Sequence, residues 1–194
     1  MGRKSLAPLR QQEILDAFER CIEKYGFAQS STRRIADEAG INQPMIAHYF
    51  GNKETLVTAL VSQVFDRYRS RLRDTIGQAD GSDRLKLALD FVFGPGVLGK
   101  EAKGNTLGQL LVAAKQDDGL RARMKAMYEG FYKLCEEELQ LAFPQTSQEE
   151  CKQVAYGIVC LGVGNDILIT VELPYSNRML ARFCAERLIS RLET

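Results

Sequence analysis

Ser31-Thr32-Arg33-Arg34-Ile35-Ala36-Asp37-Glu38-Ala39-Gly40-Ile41-Asn42-Gln43-Pro44-Met45-Ile46-Ala47-His48-Tyr49-Phe50-Gly51-Asn52-Lys53-Glu54-Thr55-Leu56 is the stretch on which the fold turns. Ile35, Ala36 and Ala39 recur at three- and four-residue spacing, which gathers them on one face of a short helix that the Thr32 hydroxyl is placed to cap. Gly40 follows the last apolar position, where a chain leaving a helix commonly takes a positive φ that glycine adopts without a steric cost. Ile41 plugs the corner. Asn42 suits the N-cap of a second helix, Gln43 and Pro44 fall in its first turn, and Ile46 with Phe50 form its inward face. The pattern predicts a helix-turn-helix, followed by a third helix that Asn52 caps and Lys53 opens.

If Ile46 and Phe50 face inward, then Gln43, Met45, Ala47, His48 and Tyr49 spread over the outer surface of a helix narrow enough for a DNA major groove. Gln43 can donate to and accept from a base edge. Met45 and Ala47 offer apolar contact, for instance to a thymine methyl, and Tyr49 and Thr32 offer hydroxyls to phosphate oxygens. Lys53 adds a positive charge to the open N–H groups of a helix start, a combination suited to phosphate.

At these positions the chain resembles the tetracycline-repressor (TetR) family. The likeness is carried by Thr32-Arg33-x-Ile35-Ala36, by Gly40-Ile41-Asn42-Gln43-Pro44 and by His48-Tyr49-Phe50-x-Asn52-Lys53-x-x-Leu56, and covers about residues 8–60. It implies an all-α dimer: an N-terminal three-helix helix-turn-helix domain binds operator DNA, and a C-terminal helical domain binds a ligand and dimerises. The DNA-binding set it implies is Thr32, Arg33, Asn42, Gln43, Pro44, Met45, Ala47, His48, Tyr49 and Lys53. Ala47 departs from the family pattern, which usually has an aromatic there; Tyr49 is the residue that would take over its backbone contact.

Composition fits this reading. The 194 residues are 45% apolar and 26% charged, ordinary for a globular protein, and the formal net charge is +1. Residues 1–77 hold twelve Lys and Arg against nine Asp and Glu, a net of +3; the remainder holds fourteen against sixteen, a net of −2. The positive end is the one expected to face DNA, and a charge this small argues for two copies acting together. The five cysteines are odd in number and contain no Cys-x-x-Cys pair, so neither a disulfide framework nor a zinc site is expected. Gly2-Arg3-Lys4 follows Met1 with no apolar signal segment, which makes the cytoplasm the expected location; residues 2–8 read as a flexible basic arm.

The rest of the chain reads as helices, about nine in all, with a domain division at 1–54 and 55–194. Leu9 to Tyr25 carries Ile14, Phe18, Cys21, Ile22 and Tyr25 on one stripe and stops at Gly26. A long helix from Lys53 to about Ile76 begins at the DNA-facing end and finishes in the next domain. Ser82 caps a helix ending near Phe93, and the glycines and proline between Gly94 and Gly104 mark a loop that either gates a pocket or serves as an ordinary connector. Asp117 to about Ala142 follows the short helix Thr106 to Lys115. Phe93, Met124, Met127, Tyr128, Phe131, Tyr132 and Asn165 are the residues expected near a ligand, because methionines adapt to varied apolar shapes and tyrosines add a polar tip. The alternative is that this stripe is plain core. Ser147-Gln148-Glu149-Glu150 is a capping box opening a helix that is apolar almost all round up to Val171. Asn165 and Asp166 in its interior argue against a membrane span. Burial in a dimer explains it better, with Tyr156, Gly157, Cys160, Leu161 and Gly164 meeting a partner together with Leu180, Phe183 and Arg187 of the last helix. Two helices per subunit then form a four-helix bundle.

No catalytic set, metal site or cofactor motif emerges: the one histidine, His48, lies in the reading helix, and there is no glycine-rich phosphate loop. The expected function is a repressor that binds a palindromic operator as a homodimer and is released by a small apolar or weakly polar effector. A regulator of the same fold that responds to thiol oxidation is the first alternative, although Cys160 and Cys184 sit in apolar stretches and read as core. A small all-helical ligand carrier or enzyme is the second.

Overall fold

The protein, described by a computed structural model, is defined over residues 6–77, 79–94, 106–170 and 178–192. The expected basic arm around Arg3 and Lys4, the gating loop after Gly94 and the helix stop at Pro174 lie outside the described residues. Within them the chain is all-α. Nine helices run α1 (Ala7–Tyr25), α2 (Thr32–Ala39), α3 (Gln43–Phe50), α4 (Lys53–Ile76), α5 (Gly81–Phe93), α6 (Thr106–Ala113), α7 (Asp118–Ala142), α8 (Gln148–Thr170) and α9 (Arg178–Ile189), with a 3-10 turn over Ser190–Leu192.

The chain forms two compact units, one drawn from Met1–Val64 and Lys103–Met127, the other from Phe65–Ala102 and Tyr128–Thr194. They are not contiguous in sequence, unlike the expected division at residue 54. The reason is that α4 and α7 each run through both units, and α6 packs with the N-terminal helices. Arg123 of α7 donates to the Thr58 hydroxyl of α4 inside the first unit, and Arg121 reaches back to the Ala114 and Lys115 carbonyls at the end of α6 (3.1 and 3.0 Å).

In the first unit, Ile14, Phe18, Cys21 and Ile22 of α1 are buried with Ile35 and Ala36 of α2, Ile46 and Phe50 of α3, and Leu56 and Leu60 of α4. Removing that apolar surface from water supplies most of the domain's stability. Tyr25 departs from the expected stripe: it lies one turn beyond this cover, is 47% exposed, and packs under the Arg34 guanidinium, 4.9 Å from the ring centre. Glu38 of α2 fastens α1 to α2 by ion pairs to Arg20 (2.8 Å) and Lys24 (2.7 Å), which stand one turn apart on α1. These bonds, that to Lys24 above all, hold the Glu38 carboxyl below its ordinary range and the Lys24 ammonium above its own.

In the second unit, Leu89 and Phe93 of α5, Leu139 of α7, Cys151, Val154 and Ile158 of α8 and Ala181, Ala185 and Ile189 of α9 form one apolar cluster. Arg84 clamps Glu138 with two bonds of 2.7 and 2.9 Å. The capping box of α8 forms as its sequence predicts: the Ser147 amide and hydroxyl donate to the Glu150 carboxylate (3.2 and 2.6 Å), while the Glu150 amide donates to the Ser147 hydroxyl (3.3 Å). By contrast, α5 begins one residue before the expected cap, with Asp80 in place of Ser82 at the N-cap position. No helix among the described residues is long and apolar enough to cross a membrane.

Candidate nucleic-acid interface

Ser31, not Thr32, caps α2. Its backbone is extended (φ −75°, ψ 157°) and its hydroxyl accepts from the Arg34 amide at 3.3 Å, whereas Thr32 is already helical. That frees the Thr32 hydroxyl to accept from Nε2 of Gln43 at 3.1 Å, joining the first residues of α2 and α3. The helix ends where expected: Gly40 takes the left-handed conformation (φ 66°, ψ 33°), and the Ile41 amide turns back onto the Ala36 carbonyl at 3.0 Å. Asn42 has the extended backbone of an N-cap but makes no side-chain cap bond, and its amide is exposed.

Ile46 and Phe50 are buried, which fixes the rotation of α3 about its axis. Gln43, Pro44, Met45, Ala47 and His48 are accordingly exposed, and Tyr49 is half-buried with its ring edge-on to His48 at 5.0 Å. The Tyr49 carbonyl accepts from Nε2 of Gln11 at 3.3 Å, so α1 holds the end of α3 in place. Arg33 is exposed on α2. Asn52 caps α4 through Oδ1, which accepts from the Thr55 amide (2.8 Å) and hydroxyl (3.1 Å).

These starts surround one hollow of about 240 Å³, lined by Thr32 of α2, by Gln43, Pro44, Ile46 and Ala47 of α3, by Gly51 and Asn52, and by Lys53 of α4. Three helix N-termini, each carrying partial positive charge on open N–H groups, and one ammonium converge there. A phosphate oxygen is the ligand such a hollow suits, and the exposed side of α3 beside it is free to meet base edges. Thr32, Gln43, Pro44, Ala47 and Lys53 of the expected set line the hollow; Asn42, Met45 and His48 stand exposed on the same short helix or at its start. The residues that sequence reasoning passed over are those that hold the site: Ser31, Gln11 and the Glu38 clamp. Only the last left a readable signal, with Arg20 and Lys24 four residues apart.

A sequence model described as "Bacterial regulatory proteins, tetR family" matches residues 14–60, the same three helices and hollow. Residues 14–60 thus carry the likeness to the tetR family. It is 30% identical over 93 residues, 46% of its length, to the HTH-type transcriptional regulator BetI of Stenotrophomonas maltophilia, and that match spans only about half of the relative, 47%. It is 26% identical to BetI of Brucella anthropi over 159 residues, 81% of this chain and 79% of that one. The fold is also that of a transcriptional regulator from Saccharomonospora viridis solved in complex with choline, with a TM-score of 0.76, 17% identity, and 94% and 96% of the two chains covered.

Outside residues 14–60 the residues expected near a ligand do not come together as one set. Met124 and Met127 are buried in the first unit, whereas Phe93, Tyr128, Phe131, Tyr132 and Asn165 belong to the second. Phe93 is part of the apolar cluster, and the Tyr132 hydroxyl donates to the Lys152 carbonyl at 2.9 Å. Phe131 lies at the centre of a ring cluster, 4.4 Å from Tyr68, 5.1 Å from Phe65 and 6.0 Å from Tyr128. Burial raises the pKa of the Tyr68 and Tyr128 phenols, and the nearby Asp166 carboxylate raises them further. Asp166 is itself raised by burial and stands 3.8 Å from the Arg178 guanidinium. The cavity beside this cluster is about 30 Å³ and includes Phe131 alone of the expected set. That is roughly one water's share of volume, far below the hundreds of Å³ of a small-molecule site.

On α8 and α9, Tyr156 is 65% exposed, Leu180 52% and Phe183 51%, and Cys160 and Arg187 are also exposed; Gly157, Leu161 and Gly164 are half-buried. Arg187 lies over the Phe183 ring at 5.1 Å. Cys160 and Cys184 are therefore surface thiols of the single chain, not the core residues their apolar neighbours imply. Each lies on the outer side of its helix. Gly157 is tight for a different reason from the expected one: a Cβ there would stand 2.7 Å from Cδ1 of Leu188, so the close approach is between α8 and α9 of one chain, while Gly164 has open space.

Proposed function

We propose that the chain is a ligand-responsive repressor that binds a pseudo-palindromic operator in the cytoplasm as a homodimer. The observation that carries this reading is the hollow where the starts of α2, α3 and α4 converge around Lys53 beside the exposed side of α3. Lys53, Thr32, Arg33 and Tyr49 take the backbone, and Gln43, Met45, Ala47 and His48 take base edges, with Asn42 and Pro44 shaping the start of the reading helix. Two such helices, one per subunit, meet half-sites about one helical turn apart or a little more.

The exposed side of α8 and α9 supports self-association through Tyr156, Cys160, Leu161, Gly164, Leu180, Phe183 and Arg187, since apolar side chains this large and this exposed on adjacent helices favour a partner. The effector is a small molecule taken up in the second unit. The ring cluster around Phe131 suits an apolar molecule with a cationic end, the chemistry of the choline held by the Saccharomonospora viridis regulator, and the cavity of about 30 Å³ beside it would have to widen to admit one. Because α4 begins at the hollow and ends in the second unit, a ligand that favours one tilt of this helix shifts the population of DNA-competent dimers. The thiol alternative would fall to the exposed Cys160 and Cys184, since burial pushes Cys135 up to about 12 and raises Cys21 and Cys151, which keeps those three thiols protonated and unreactive.

Selection of random duplexes by the purified protein tests the proposal, with sedimentation to give the stoichiometry. Enrichment of a two-fold-related sequence by a dimer supports it. A monomer that enriches nothing at low ionic strength refutes it.

A further inference from the structure

Gln109 of α6 spans the break between α1 and α2. Its Nε2 donates to the Ile22 carbonyl at 3.2 Å and its Oε1 accepts from the Phe27 amide at 3.0 Å. Ile22 lies in the last turn of α1 and Phe27 just beyond its end, so one planar amide grips the chain on both sides of the turn. Between them Gly26 holds a backbone (φ 83°, ψ 156°) that side chains rarely adopt, and a Cβ there would stand 3.4 Å from Oε1 of Gln109. The loop is closed on its far side by the buried Ser30, whose hydroxyl donates to the Gly26 carbonyl at 2.9 Å. What this grip fixes is Phe27. Its ring lies against Phe18, centroids 6.2 Å apart, and beneath the Lys53 ammonium at 5.7 Å. Gln109 thus reaches the cation of the hollow through a single intermediate side chain.

We infer that Gln109 is a positioning residue for DNA binding: by holding Phe27 it sets the ring that keeps the Lys53 ammonium at the hollow, ready for a phosphate. The inference rests on the DNA-binding reading above and deepens it. The chemistry calls for a donor and an acceptor in one group with the reach of glutamine. Leucine has neither, and glutamate keeps the acceptor but loses the donor. A cation held over a ring at an exposed site is a weak interaction, worth about threefold in affinity per protomer, and therefore about tenfold for a dimer on two half-sites.

The test is a double-mutant cycle on the full chain, with a duplex enriched by the native protein as probe. Gln109→Leu is expected to weaken binding about tenfold in the native background and less than about twofold where Lys53→Ala has already removed the cation, and the Phe27 amide is expected to lose protection from hydrogen exchange. A purely structural role predicts the same cost in both backgrounds, and that result overturns the inference, as does unchanged affinity in Gln109→Leu. Should that variant fail to fold, Gln109→Glu carries the same cycle and is read by the same criterion. A native protein that enriches no duplex sinks the DNA-binding reading itself, an outcome separate from an additive cycle.

Discussion

Replacing Lys53 by alanine removes one ammonium from each hollow while leaving the Asn52 cap and the helix start intact. Each phosphate neutralised on duplex DNA contributes about 0.9 to the slope of log affinity against log salt, so a dimer that loses one contact per half-site should show a slope shallower by about 1.8. Between about 50 and about 200 mM salt, the native protein would then lose about twelvefold more affinity than the variant. The same substitution frees the Phe27 ring, which costs the fold about 0.5–1 kcal/mol through the lost cation–π contact. A stability loss of that size leaves the salt slope unaltered, so the two effects separate. The assay is fluorescence anisotropy of an enriched duplex and of an unrelated duplex across a salt series. Because phosphates carry no sequence information, both duplexes should weaken by the same factor. An unchanged slope, or a loss confined to the enriched duplex, would refute the assignment of Lys53 to the backbone.

Gln43→Ala and Met45→Ala should change which sequence is enriched by selection, since both side chains are exposed on the reading helix; an unchanged preference removes them from base readout. Gly40→Ala should cost about 1–2 kcal/mol in urea unfolding, because no atom stands within 4 Å of the new Cβ and only the left-handed backbone is strained, and Gly40→Asn should cost less. Gly130→Ala should cost about 1–3 kcal/mol, since its Cβ would lie 2.5 Å from the Phe65 ring; adding Phe65→Leu should recover part of that loss in the same unfolding assay. Glu38 is held below its usual range by Lys24 and Arg20, so its contribution is present above the unfolded carboxylate pKa of about 4.3 and is lost as pH falls through the lower folded value. Thermal unfolding should therefore find Glu38→Gln less stable than the native protein by up to about 1 kcal/mol at neutral pH, with the gap closing as pH falls below the usual carboxylate range.

Much of the N-terminal domain was legible in the chain because its signals are local. Apolar spacing, Gly40 and the Asn52 cap each act within a few residues, and Lys53–Ile76 and the Ser147–Glu150 box are likewise set by neighbours in sequence. What escaped depends on distant pairs. Ser31 and Thr32 are equally good caps by residue type, and only the contact of Thr32 with Gln43 separates their roles. Tyr25 and Cys160 fit their apolar stripes, yet each lies past the edge of its cover. The expected ligand set drew on α7 as if it served one compartment, but that helix passes from one unit to the other between Met127 and Tyr128. Gln109 gave no sign at all, because its two partners lie 87 and 82 residues away.

The bond between Gln43 and Thr32 has an evolutionary corollary. A reading amide already tethered to a neighbouring hydroxyl loses little freedom on docking, but its pose belongs to both residues. Descendants of this gene that adopt a new recognition sequence should therefore alter positions 32 and 43 together, and lineages that alter one alone should show looser discrimination.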